Sequence, residues 1–88
     1  MVYFVYMLLA KRKGKLISYV GYTSNLENRL NKHNNSKGAK YTRGKKWNIV
    51  FKKRYLTKSK AMEEEYKLKK NKKLRNFYKT KYLNKSNV

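Results

Sequence analysis

Two nearly unbroken apolar stretches, Val2–Leu9 (VYFVYMLL) and Leu16–Tyr22 (LISYVGY), straddle a basic tip, Lys11-Arg12-Lys13-Gly14. Runs of Val, Ile, Leu and Tyr on either side of a glycine-containing loop predict a β-hairpin. With residues 11–14 as the loop, Ala10 opposes Lys15 and Tyr6 opposes Tyr19. Side chains alternate with period two, so both phenols then project from the same face. Val5, Met7, Leu9, Leu16 and Val20 line one side of such a hairpin; Phe4, Tyr6, Leu8, Ile17, Tyr19 and Gly21 line the other. A sheet apolar on both faces needs cover on both, and helices must supply it.

The remaining chain provides those helices. Ser24-Asn25-Leu26-Glu27 reads as a capping box opening a helix that runs to about His33 or Asn34. Leu26, Arg29, Leu30 and His33 fall within one arc of about 100° on it, so that side faces the protein. Residues 36–46 form a loop rich in Gly and Lys, and Trp47–Leu56 reads as a third strand with Trp47 in the core. Thr57 or Ser59 caps a second helix reaching about Lys70. Leu74, Phe77, Tyr78 and Tyr82 mark a third, whose aromatics are expected to pack on the sheet. The expected architecture is α/β of the α+β kind: a three-stranded, mainly antiparallel sheet flanked by three helices, in the order β-β-α-β-α-α. Residues 1–83 form one domain and 84–88 a frayed tail.

Composition narrows the partners. The chain has 25 Lys and Arg against four acids, a formal charge of +21. Such an excess attracts polyanions with release of counterions, and nucleic acid is the expected partner, DNA first. An anionic membrane surface is a distant alternative, and no obligate protein partner is evident. Without cysteine, neither a disulfide nor a thiolate zinc site is possible. The N-terminal apolar run is too short for a signal peptide or a membrane span, so a soluble, cytoplasmic protein is expected.

The four acids are Glu27, Glu63, Glu64 and Glu65. Glu27 belongs to the capping box. On the second helix Ala61, Met62, Leu68 and Lys69 lie within about 60° of Glu65, whereas Glu63 is turned about 160° away. Glu65 is therefore the inward acid, and the one carboxylate suited to a hard divalent cation. An i,i+4 ion pair with Lys69 is its purely structural alternative.

Phe4-Val5-Tyr6 and Tyr19-Val20-Gly21, followed by Tyr22-Thr23, resemble the paired signatures of the GIY-YIG nuclease superfamily. Ala61-x-x-x-Glu65-x-x-Leu68-Lys69 is similar to the family's second-helix motif, whose glutamate binds the metal. Arg29 and His33 resemble its first-helix arginine and following histidine. Gly38-Ala39-Lys40-Tyr41-Thr42 resembles a loop of the family's small, stand-alone bacterial branch. The likeness extends from Phe4 to about Lys69; Phe4 departs from it, standing where glycine is usual. It implies metal-dependent endonucleolytic cleavage of DNA with one Mg²⁺ or Mn²⁺ on Glu65, in a structure-selective setting such as repair. It also implies a catalytic set of Tyr6, Tyr19, Arg29, His33 and Glu65. Tyr6 and His33 are rival general bases. Lys37, Lys40, Tyr41, Thr42, Arg43 and Lys69 are candidates for contacting nucleic acid. The alternative function is a non-catalytic, basic nucleic-acid-binding protein with an inactive nuclease fold.

Overall fold

A computed structural model describes residues 2–35, 40–42 and 44–86. Strands β1 (Tyr3–Arg12), β2 (Lys15–Thr23) and β3 (Asn48–Tyr55) form an antiparallel sheet in the order β2-β1-β3. Helices α1 (Leu26–Asn34), α2 (Lys58–Lys70) and α3 (Lys72–Ser86) flank it, with a single 3₁₀ turn at Lys40–Thr42. The expected element order and sheet type are those of the protein. Helix α3 continues through Ser86, beyond the expected start of the tail.

The hairpin turn is tighter than four residues. Arg12 pairs directly with Lys15, leaving Lys13 (φ 50°) and Gly14 (φ 79°) as a two-residue turn. Two successive positive φ angles match the right-handed twist of the flanking strands, which a four-residue loop does not require. Tyr6 therefore opposes Gly21, and Tyr19 opposes Leu8. The register differs from the expected one by two residues, a whole side-chain period, so every residue keeps its expected face.

Each face has its own core. Val5, Met7, Leu9 and Val20 pack with Ala61 and Leu68 of α2. Tyr6, Leu8 and Ala10 pack with Trp47 and are flanked by Leu26 and Leu30 of α1. A bulge opposite Met7 and Leu8 leaves Val50 unpaired, so Val50 and Phe51 both join the α2 side while Ile49 joins the α1 side. Phe51 meets Tyr78 of α3 with ring centroids 5.2 Å apart. Phe77, expected on the sheet, is instead exposed.

The helix starts show local competition. Asn25, not Ser24, caps α1: its side chain accepts from the Asn28 amide at 3.0 Å, and the Thr23 hydroxyl accepts from the Asn25 amide at 3.1 Å. A Thr-braced asparagine is at least as good a cap as serine, so the helix begins one residue later. Glu27 becomes an exposed first-turn acid favouring the helix dipole. Thr57 caps α2 and Asn71 accepts from Leu74 at the start of α3.

Candidate active site

Because α1 and α2 cover opposite faces, their inward side chains can meet only around an edge of the sheet. They do so at β2, at the one position where that strand has no side chain. A cleft of about 460 Å³ opens there, lined by Tyr6, Tyr19, Gly21, Arg29, Lys58 and Glu65, together with Tyr3, Tyr22, Thr23 and Ser24. A Cβ on Gly21 would stand 2.6 Å from the Tyr6 hydroxyl and 2.8 Å from its Cζ. The tyrosine ring thus lies across the glycine, and its hydroxyl reaches the edge of the sheet through the gap. The register explains this, since Tyr6 and Gly21 are direct partners.

Tyr6 cannot retreat. It is buried, and its hydroxyl meets His33 Nε2 at 3.0 Å. Gly21→Ala is accordingly expected to cost about 1–3 kcal/mol as an overpacking substitution. Thermal melting should register that as a fall of about 4–8 °C per kcal/mol for a chain of this size. An unchanged melting temperature would mean that the ring can move aside.

His33 is fully buried and held at both nitrogens, with Nδ1 2.8 Å from the Thr42 hydroxyl. Burial, aided by the positive charge of Arg29, keeps its pKa below the ordinary 6.5, so the ring is neutral at neutral pH. Burial also pushes the Tyr6 phenol up to about 12, outweighing the opposing pull of Arg29. The Arg29 guanidinium lies against both phenols, which hold its pKa above the ordinary value, Tyr6 more than Tyr19. Its Nε is buried without a hydrogen-bond partner. Tyr19 sits between the two halves of the site, its ring 6.3 Å from Tyr6 and 4.9 Å from His33.

Glu65 enters from α2. Its side chain is 17% exposed and its carboxylate pairs with Lys69 at 3.2 Å. The inward arc holds at Ala61, Glu65 and Leu68, but Met62, at its rim, is exposed. Glu63 and Glu64 instead pair with Lys60 and Lys67.

Four of the five residues expected to carry chemistry thus line one cleft, and the fifth, His33, stands behind Tyr6. The nucleic-acid candidates divide. Tyr41 is 47% exposed and stacks on Tyr19 at 6.3 Å, and Lys69 flanks the cleft. Thr42 was expected to face nucleic acid, but it is fully buried, bonded to His33, and its carbonyl accepts from the Trp47 indole at 2.9 Å. It supports the histidine from within. Lys37, Arg43 and the side chain of Lys40 lie outside the described residues. Sequence reasoning passed over Thr42's supporting position and Lys58, at the start of α2. Nothing local marks either: the first contact spans nine residues, and one lysine among so many carries no signal.

Among described residues no helix is long and apolar enough to cross a membrane. Comparison with known proteins extends these observations. The GIY-YIG catalytic domain family matches residues 2–81. A UPF0213 protein of Oceanobacillus iheyensis is 44% identical over 68 residues, 76% of this chain and 76% of that one. A UPF0213 protein of Bacillus licheniformis is 44% identical over 66 residues, 74% of this chain and 66% of that protein, just under two thirds of its length. Among solved structures, the solution NMR structure of the UPF0213 protein BH0048 from Bacillus halodurans is 35% identical, covers 88% of this chain and 85% of that one, and has a TM-score of 0.47. With Tyr6, Tyr19 and Gly21 of the two triplets, the arginine and the glutamate gathered at one cleft, and the family match running through all of them, the chain belongs to the GIY-YIG family of nuclease-type catalytic domains, alongside the UPF0213 proteins.

Proposed function

We propose that this protein is a metal-dependent endonuclease that hydrolyses phosphodiester bonds in DNA and selects its substrates by structure. The observation that carries the reading is the convergence of Tyr6, Arg29 and Glu65 on one cleft, with His33 bonded behind the tyrosine. Phosphodiester hydrolysis needs a positioned water, an acceptor for its proton and positive charge on the phosphate. Each requirement has a residue.

His33 does not line the cleft; Tyr6 does, but holds its proton too tightly to act as a phenolate near neutral pH. In series, each removes the other's difficulty. Tyr6 accepts a proton from the attacking water while passing its own to neutral His33 Nε2. The arrangement requires the histidine proton to sit on Nδ1, where the Thr42 hydroxyl can accept it as a hydrogen bond and leave Nε2 free to take the Tyr6 proton. Arg29 donates to the phosphate as negative charge grows, and Tyr19 orients the same oxygens. The departing oxygen takes its proton from solvent.

The donor set also suits a divalent ion. Hard cations such as Mg²⁺ and Mn²⁺ take oxygen ligands and keep much of their water, and Glu65 offers the one carboxylate oxygen pair in a cleft otherwise lined by hydroxyls, the cations Arg29 and Lys58, and Gly21. The described residues contain no cluster of three or more acidic, histidine or cysteine ligands, so Glu65 would hold the ion with water and substrate phosphate completing the shell. When bound, the ion supplies Lewis-acid polarisation of the phosphoryl group. The charge of +21 supports nucleic acid as substrate. Phosphate contacts position a duplex without reading its sequence, so selection falls on backbone shape. Exposed Tyr41, stacked on Tyr19, is a platform for an unpaired base.

Labelled duplex, nicked, flap, branched and single-stranded DNA, with RNA alongside, test the reading in Mg²⁺, Mn²⁺ or EDTA. Internal cleavage that needs the divalent ion and favours one DNA structure is expected. Cleavage that survives chelation, or no cleavage of any lane despite binding, would overturn it.

A further inference from the structure

The active-site cleft does not end at Glu65. Beyond it, along the same outer edge of β2, lies a second pocket of about 220 Å³, lined by Ser18, Tyr19, Val20, Lys69 and Arg75. The two share Tyr19, and the Glu65–Lys69 ion pair joins them. Arg75 comes from α3, which contributes nothing to the cleft itself.

The charges in this second pocket are unbalanced. The ion pairs among the described residues run between lysines and glutamates of α2, and Glu65 is engaged by Lys69. Arg75 therefore faces Lys69 with no carboxylate of its own, and its Nε is buried without a hydrogen-bond partner. A guanidinium with a desolvated, unpaired donor beside a second cation is unfavourable until an anion arrives. The planar fork of arginine suits a phosphate, which can accept two of its hydrogen bonds at once.

We propose that Arg75 and Lys69 form a second phosphate site, which holds the backbone phosphate flanking the scissile one as the DNA strand passes along the edge of β2. The site deepens the nuclease reading and rests on it for the identity of the bound strand. It adds α3 to the substrate-binding surface and gives the strand a direction, from the Gly21 cleft toward the Ser18 end of β2. Lys69 serves both pockets, as counter-ion to Glu65 in the free protein and as phosphate donor when the carboxylate is otherwise engaged.

Fluorescence anisotropy of a labelled duplex, titrated in EDTA at several salt concentrations, reads the site without any cleavage. Arg75→Gln keeps the side-chain stem and removes the charge; Arg75→Lys restores charge without the fork. One phosphate contact contributes about 0.9 to the slope of log affinity against log salt. Arg75→Gln is expected to lower that slope by about 0.9 and weaken low-salt binding roughly tenfold, and Arg75→Lys to recover the slope. Cleavage should show a raised KM with kcat retained. An unchanged slope for Arg75→Gln overturns the proposal, whether or not melting shows a loss of stability. A slope that falls in a protein that never cleaves would leave this site standing and remove the nuclease reading; cleavage with an unchanged slope would do the reverse.

Discussion

Tyr6→Phe is expected to lower kcat by about 10²–10⁴, the usual contribution of a positioned proton acceptor, with little change in KM. The ring stays, so packing against Gly21 and the α1-side core is kept. What goes is the hydroxyl that links the cleft to His33 at 3.0 Å. His33 Nε2 then becomes a buried nitrogen without a partner, costing about 1–3 kcal/mol of stability. Activity and stability should therefore separate: a folded, DNA-binding protein that does not cut. The pH profile of the wild type distinguishes the relay from a free phenolate. A phenol held at about 12 and acting alone would give a rate rising roughly tenfold per pH unit from neutrality upward. With His33 as acceptor, the rate is level above pH 6.5 and declines in acid as the ring takes a proton from solvent instead. Stability follows the same group. The folded ring has the lower pKa, so the unfolded chain binds the proton first; stability is complete above about 6.5 and is lost as pH falls toward the folded value. A rate still climbing between neutrality and strong alkali would exclude His33 from the proton path.

The same site shows what the chain announces and what only folding reveals. The two faces of the hairpin were legible because alternation is a local rule, and a register error of two leaves it intact. The turn was not, because Lys13 at φ 50° bears no mark that separates it from the neighbouring basic residues. Glu65 was legible from helical phase, since α2 presents Ala61 and Leu68 to the sheet and carries Glu65 between them. The side of α1 carrying Arg29 and His33 was legible in the same way, although the cap moved to Asn25. Relations between elements were not legible. That Gly21 lies under the Tyr6 ring depends on register. That Thr42 stands behind His33 depends on Trp47, whose backbone amide is held by Asn34 at 2.6 Å and whose indole reaches the Thr42 carbonyl. That burial raises the Tyr6 pKa depends on the whole core. Tyr6 and His33 looked like rival candidates for a general base because sequence orders residues along the chain; in space they stand one behind the other, and the proposed mechanism uses them together.

Glu65→Gln is the second large effect, and loss of cleavage without loss of binding is what separates a nuclease from a basic DNA-binding protein that kept the fold. The substitution keeps volume and removes one negative charge from a surface expected to meet phosphate. Cleavage in Mg²⁺ or Mn²⁺ is expected to fall by about 10³ or more, as loss of metal-assisted charge stabilisation would require. Affinity for DNA in EDTA is expected to rise, for two reasons. The carboxylate no longer repels the strand, and Lys69, released from its 3.2 Å pair, becomes available to a phosphate. The salt slope should steepen by about 0.9 if Lys69 gains one contact. Stability should hardly change, because an i,i+4 pair of this kind contributes about 0.3–0.5 kcal/mol. In a protein that merely binds DNA, a carboxylate this close to the strand has no function that its removal could abolish, and the variant would bind more tightly with nothing lost. Loss of cleavage together with tighter, more salt-sensitive binding therefore points to Glu65 as the residue that exchanges binding strength for chemistry. Retained cleavage in the variant would place the metal, and with it the reaction, elsewhere.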